Sequence, residues 1–164
     1  MTQLIPYQNQ KSEALKLIKG FWLAHNHYRQ SDEEAEADLT AWTGEGHRLF
    51  LIEQDGQTVG LLHLGSRGAE IDWLEDLFVL PDFQGRGIGT AAVRLAEELV
   101  KTYSSSLYIE AAARNEAAIR LYRRLGYDCL NTVTLRKDFP SYQYQVLRQE
   151  SVWGQTFEIR ADAE

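Results

Sequence analysis

Gly85, Gly87 and Gly89 stand at alternate positions between an apolar run, residues 71–80, and a segment with helical spacing. The run ends at Pro81 and reads as a strand, while Ile88, Ala92, Leu95 and Leu99 share one helix face. A strand that passes through a glycine turn directly into a helix is a building unit of α/β folds. With no side chains at the three glycines, the backbone N–H groups of residues 85–90 lie uncovered at a helix N-terminus. Free donors and the helix dipole favour an anion such as phosphate there. No Gly-Lys-Ser/Thr follows, which excludes a Walker loop, and the GxGxG spacing departs from the GxGxxG dinucleotide fingerprint. On these residues alone the segment is a phosphate cradle or a tight turn.

The rest of the chain fits around that unit. Residues 4–7 form a short strand candidate, and residues 12–23 carry helical spacing through Leu15, Ile18 and Trp22. Ser31, with Glu34 three residues on, is a capping-box signature for a second helix running towards Trp42. Its acids Glu33, Glu34, Glu36 and Asp38 make either a solvated face or a wall for a cationic substrate. Residues 48–54 and 58–65 read as strands joined by Asp55-Gly56, a hairpin signal. Further on, residues 107–112 read as a strand and 116–125 as a helix with Gly126 just past its end. Residues 127–137 read as a strand again, and 155–160 alternate like a final one. This order predicts a single α/β domain over 1–164, a mixed central sheet of about six to seven strands flanked by about four helices.

Composition narrows the partners. The chain of 164 residues is one domain in size and buries a core without staples. Cys129 is the only cysteine, which excludes an intramolecular disulfide and a multi-cysteine zinc site. His25 and His27 fall about 200° apart on a helix and cannot share a metal, so no metal is expected. No apolar run approaches the roughly 18 residues a membrane span needs, and the first ten residues are unlike a secretory leader. The expected location is cytoplasmic, with no membrane partner. Residues 1–80 hold 6 Lys and Arg against 13 Asp and Glu, whereas residues 81–164 hold 11 against 11. The net charge of −7 speaks against non-specific nucleic-acid binding and favours a small cationic partner near the N-terminal half.

Two other pairs could carry chemistry. Asn115 and Tyr122 are seven residues apart on one helix, about two turns, so they project from one face about 10 Å apart. They are either a pair that holds a ligand at two points, or an N-cap and a core aromatic. Glu75 and Asp76 are adjacent carboxylates inside an apolar strand, which period two sends to opposite faces. A buried carboxylate costs energy unless it is paired or used, and a wet edge strand is the other reading. His47 and His63 read as lone histidines in strands.

Taken together, Glu75-Asp76-Leu77-Phe78-Val79, then Gln84-Gly85-Arg86-Gly87-Ile88-Gly89, then Asn115 and Tyr122 before Leu125-Gly126-Tyr127, resemble the GCN5-related N-acetyltransferase (GNAT) superfamily. The family's (Q/R)-x-x-G-x-(G/A) cofactor motif is matched in full, and the resemblance covers about residues 70–137. Residues 73–79 look most like the spermidine/spermine acetyltransferases and their small-amine relatives.

That resemblance implies acetyl-CoA as cosubstrate, its pyrophosphate held by Gln84, Gly85, Arg86, Gly87, Ile88, Gly89 and Thr90. It implies a strand that splays near Leu77, Phe78 and Val79, where pantetheine pairs as an added strand. The Val79 N–H then polarises the thioester carbonyl, Asn115 binds the cofactor arm, and Tyr122 protonates the leaving thiolate. Glu75 is the candidate base for the incoming ammonium, on the face of Leu77 and Val79 if no bulge intervenes, and Asp76 anchors a second positive group. Trp73 occupies a position where several family members place their glutamate base, so water can take that part. The expected reaction is direct acetyl transfer to a primary amine of a small cationic molecule. A protein N-terminal or lysine acetyltransferase and a non-catalytic CoA sensor are the alternatives. Residues of about 1–70 form the acceptor side, about 71–137 the acetyl-CoA-binding core and about 138–164 the tail. The tail strand would be a sheet edge if uncovered, and pairing it predicts a homodimer.

Overall fold

The computed structural model describes residues 1–163, which divide into two compact units, residues 1–110 and 111–163. The first unit carries β1 (Thr2–Pro6), α1 (Lys11–Asn26), α2 (Asp32–Trp42), β2 (His47–Gln54), β3 (Gln57–Gly65), β4 (Trp73–Val79), α3 (Ile88–Val100) and β5 (Tyr108–Ile109). Its five strands form one sheet in the order β1-β2-β3-β4-β5, antiparallel except for the parallel β4–β5 pair. The second unit holds α4 (Glu116–Leu125) and a two-stranded sheet, β6 (Tyr144–Val152) with β7 (Gln155–Asp162). No helix among the described residues is long and apolar enough to cross a membrane.

Local chemistry sets most boundaries. Ser31 caps α2 by accepting from the Glu34 N–H at 3.2 Å, and Glu34 returns the bond to the Ser31 N–H at 2.8 Å. Asp55 and Gly56 turn β2 into β3 with φ of 52° and 80°, the left-handed pair a two-residue hairpin needs. Alternation then assigns the sheet faces. Leu49, Leu51, Leu61 and Phe78 pack with Ala14, Leu17 and Ile18 of α1 and Ala35, Leu39 and Trp42 of α2. Ile88, Ala92, Val93, Ala96 and Val100 bury the inner side of α3, which packs on β1 and β4.

The expected mixed α/β fold with four helices is present, and the seven strands among the described residues fall as five in the central sheet and two in a second sheet. Residues 127–137 form no strand; the tail contributes β6 instead, paired antiparallel with β7.

One close approach fixes β3 against β4. A Cβ at Gly60 would stand 2.2 Å from the Phe78 carbonyl oxygen, a backbone atom that cannot step aside. Gly60→Ala is therefore expected to lower stability by about 3 kcal/mol, read from chemical denaturation. An unchanged midpoint would contradict the register of β3 on β4.

Candidate active site

The open edge of β4 is the first element of the site. β5 pairs with β4 only at Trp73↔Tyr108 and Leu74↔Ile109, so the rest of β4 has no strand partner on that side. The Leu80 N–H donates to the Val59 carbonyl at 2.8 Å, towards β3. By alternation the N–H and C=O of Val79 face the other way, to the open edge. The Gln84 side-chain amide donates to the Val79 carbonyl at 2.8 Å, which leaves the Val79 N–H as a free donor. Leu77 and Phe78 lie on the same stretch, Phe78 buried and Leu77 part-exposed.

The glycine turn follows at once. A 3-10 turn over Pro81–Phe83 leads to Gly85 and Gly87, with φ of 73° and 78°. Gly87 is the N-cap of α3, so no side chain caps the first-turn N–H groups of Ile88, Gly89 and Thr90. A Cβ at Gly85, Gly87 or Gly89 would meet nothing within 4 Å. The glycines therefore keep open a space that side chains would fill. The Arg86 guanidinium lies 5.3 Å from the Phe83 ring centroid, at the mouth of that turn.

The third element is a cluster of charged and imidazole side chains on the α1–α2 face of the sheet. Asp76 Oδ2 lies 2.7 Å from His63 Nδ1, and His63 Nε2 lies 2.9 Å from His47 Nδ1. His63 is 3% exposed and stacks on Trp42 with centroids 4.9 Å apart. Arg67 grips Glu75 with two bonds, Nε to Oε1 at 3.0 Å and Nη2 to Oε2 at 2.7 Å, and reaches Glu110 at 2.6 Å. The guanidinium holds the Glu75 carboxyl below the usual carboxylate range. The same cation stacks on Trp73, 3.8 Å from its ring centroid.

Two bulges build this cluster. The register of β3 on β4 shifts between His63 and Leu64, so Asp76 opposes His63 and Leu74 opposes Leu64, with Glu75 the extra residue. Glu75 is thereby turned onto the Asp76 face: a Cβ at Gly65 would stand 2.9 Å from Glu75 Cγ and 3.3 Å from His47 Nδ1. This corrects the expectation that Glu75 and Asp76 point to opposite faces and that Glu75 shares a face with Leu77 and Val79. A second shift, between Ile52 and Glu53, pairs Leu49 with His63 and His47 with Gly65. His47 and His63 are thus diagonal neighbours on one face, not isolated residues.

In the second unit, Asn115 is the N-cap of α4, its Oδ1 accepting from the Ala118 N–H at 3.2 Å. That bond leaves its NH2 group as the donor for a ligand. Tyr122 sits two turns on, its ring edge-on to Tyr127 at 5.9 Å, and burial pushes its phenol pKa up from the usual tyrosine range. Gly126 ends α4 in the left-handed conformation, φ 105°. Cys129 is exposed and free, and among the described residues no group of His, Cys, Asp and Glu has metal-ligand geometry.

An open strand edge, a glycine turn and an uncapped helix thus follow one another along the chain. The Acetyltransferase (GNAT) family model matches residues 15–127, and the chain belongs to that family. Spermidine N(1)-acetyltransferase of Escherichia coli strain K12 is 28% identical over 129 residues, 68% of this chain and 67% of the relative. The [ribosomal protein bS18]-alanine N-acetyltransferase of the same strain is 39% identical over 106 residues, 64% of this chain and 69% of that one. Among solved structures, AAC(6′)-Iy in complex with the bisubstrate analog CoA-S-monomethyl-acetylneamine aligns with TM-score 0.67 at 17% identity, covering 85% of this chain and 99% of that one.

Proposed function

We propose that the protein is an acetyl-CoA-dependent N-acetyltransferase acting on a primary amine of a small cationic molecule, with the amine attacking directly in a ternary complex. The observation that carries this reading is the free Val79 N–H on the open edge of β4, directly before the three uncapped N–H groups of α3. The cradle fits acetyl-CoA: a Cβ at any of the three turn glycines would fill the space a pyrophosphate needs. When bound, acetyl-CoA supplies an activated acetyl thioester.

The chain's own groups divide the remaining work. The amides of Gly85 to Thr90, with Arg86 beside them, hold the pyrophosphate by donors and dipole. The backbone of Leu77, Phe78 and Val79 pairs with the pantetheine arm, and the Val79 N–H is positioned to donate to the carbonyl oxygen. The Asn115 amide binds that arm further along. Tyr122 supplies the proton for the departing thiolate, and its raised pKa keeps it protonated at neutral pH. Asp76, part-exposed on the acceptor face, draws the ammonium. Glu75 was the candidate base, but Arg67 occupies both its oxygens, so it serves better as a fixed negative charge beside the amine. The family match runs from residue 15 to 127.

The small-amine reading draws on the similarity to spermidine N(1)-acetyltransferase and on the acidic residues of the first 80 positions. A second reading, acetylation of a protein N-terminus, is favoured by the 39% identity to the bS18-alanine enzyme. Thiol release measured over polyamines, aminoglycosides, amino acids and short peptides with free N-termini separates the two. Polyamines or aminoglycosides are expected to turn over at least tenfold faster than any peptide, and the reverse order would move the assignment to protein N-termini.

A further inference from the structure

The aligned imidazoles of His47 and His63 have no part in the roles above, yet their geometry has a definite polarity. Asp76 is a carboxylate and can only accept, so the proton between it and His63 sits on His63 Nδ1. Neutral His63 then accepts at Nε2, which places a proton on His47 Nδ1 across the 2.9 Å contact. The tautomers are thereby set in series, and His47 Nε2 is left with a lone pair and no hydrogen-bond partner among the described residues. His63 is buried against Trp42, so its ring cannot turn to break the series.

We propose that His47 is the proton acceptor of the acetyl transfer and that His63 and Asp76 are positioning residues that polarise it and share its charge. This inference rests on the acetyltransferase reading above. Glu75 and His47 converge on the gap at Gly65, so an ammonium drawn to the carboxylates of Glu75 and Asp76 lies beside the imidazole pair. One N–H bond of the ammonium breaks, directly or through one water, and one forms at His47 Nε2. The amine keeps the electron pair and becomes the nucleophile. The His47 Nδ1 proton can pass to His63 Nε2, so the positive charge is shared along the pair and finally faces Asp76. His47 also lines an open pocket of about 360 Å³ with Tyr7, Thr43 and Arg48, which gives the proton a route to water afterwards. The groups facing the pair are Asp76 and Glu75 from β4, the uncharged Trp42 from α2, and Arg48 and Tyr7 in the pocket, with Arg67 reaching it only through Glu75.

Two measurements test this, one without turnover. Histidine-ring 15N–1H correlation spectra are expected to show Nδ1–H tautomers at both His47 and His63, and Asp76→Asn is expected to change both. An Nε2–H tautomer at His47, or ring signals indifferent to Asp76→Asn, overturns the relay whatever the enzyme's substrate. In turnover, His47→Gln is expected to lower kcat about 10- to 100-fold at pH 7 with KM for acetyl-CoA unchanged. The loss should shrink towards pH 10, where a lysine-like ammonium loses its proton to solvent without help, and added imidazole should restore part of the rate to His47→Gly. A loss equal at both pH values and not restored by imidazole overturns the proposal, since a structural role predicts that. Wild-type protein that acetylates no amine would instead defeat the acetyltransferase reading, and the spectra would still decide the relay.

Discussion

Tyr122→Phe is expected to lower kcat by about 100- to 1000-fold while acetyl-CoA binds as before. The loss is that of a general acid acting on a leaving thiolate. The phenol suits the task because burial pushes its pKa up from the usual tyrosine range, so it holds its proton through the neutral range. The sign follows directly: a phenol whose pKa is raised keeps its proton through the neutral range, so raising pH within that range should cost no activity through this group, and its alkaline limb should lie higher than an ordinary tyrosine's. Stability should hardly change, because the substitution removes a hydroxyl and keeps the ring that meets Tyr127 edge-on. A variant with wild-type kcat would remove Tyr122 from the mechanism. A variant that loses acetyl-CoA binding would make the residue a binding contact instead.

Gly89→Asp should move stability and binding in opposite directions. Position 89 is the second residue of α3, its φ is not left-handed, and a Cβ there meets nothing within 4 Å. The first turn of α3 has no acidic residue, so an aspartate gains from the dipole and from a better helix propensity than glycine. Together these add about 0.5–1 kcal/mol to folding stability. On the proposed role of the turn, the same carboxylate would stand where the pyrophosphate would be held. Two like charges about 4 Å apart near a surface repel by about 4 kcal/mol, so a rise in the acetyl-CoA Kd of at least about 100-fold is expected. Calorimetry and thermal melting read both quantities on one preparation. A stabilised variant that binds acetyl-CoA as tightly as wild type would reduce the glycine segment to a turn.

What the sequence revealed and what it hid have physical causes. The glycine segment, the Ser31 capping box, the Asp55-Gly56 turn and the Gly126 cap were legible because each depends on residues within about four positions. α4 runs over Glu116–Leu125, as its spacing indicates. β6 was not legible: Tyr144–Val152 belongs to a two-stranded ribbon with little burial, so it carries no apolar alternation. Residues 127–137 alternate like a strand but pair with nothing in either sheet, and a strand exists only as a partner.

The imidazole pair was hidden by the bulge between β2 and β3. A straight register from the Asp55-Gly56 turn would set Arg48 opposite His63 and send His47 to the other face. The shift at Ile52/Glu53 slides that pairing by one residue and brings the two rings together. The bulge between β3 and β4 does the same for Glu75, and Arg67, which neutralises it, comes from a loop eight residues earlier with no motif to mark it. Bulges often re-aim side chains at functional sites, and they leave no reliable signature in one sequence.

Direct transfer of an acetyl group from acetyl-CoA to an amine leaves both a kinetic and an isotopic signature. Initial rates with acetyl-CoA labelled in its acetyl group, measured while both substrates are varied, test it most directly. Label recovered on the amine in step with thiol release, with rate lines that intersect, is the predicted result. Acetyl-CoA that binds but passes no label to any amine, or parallel lines with label first trapped on the protein, would contradict it.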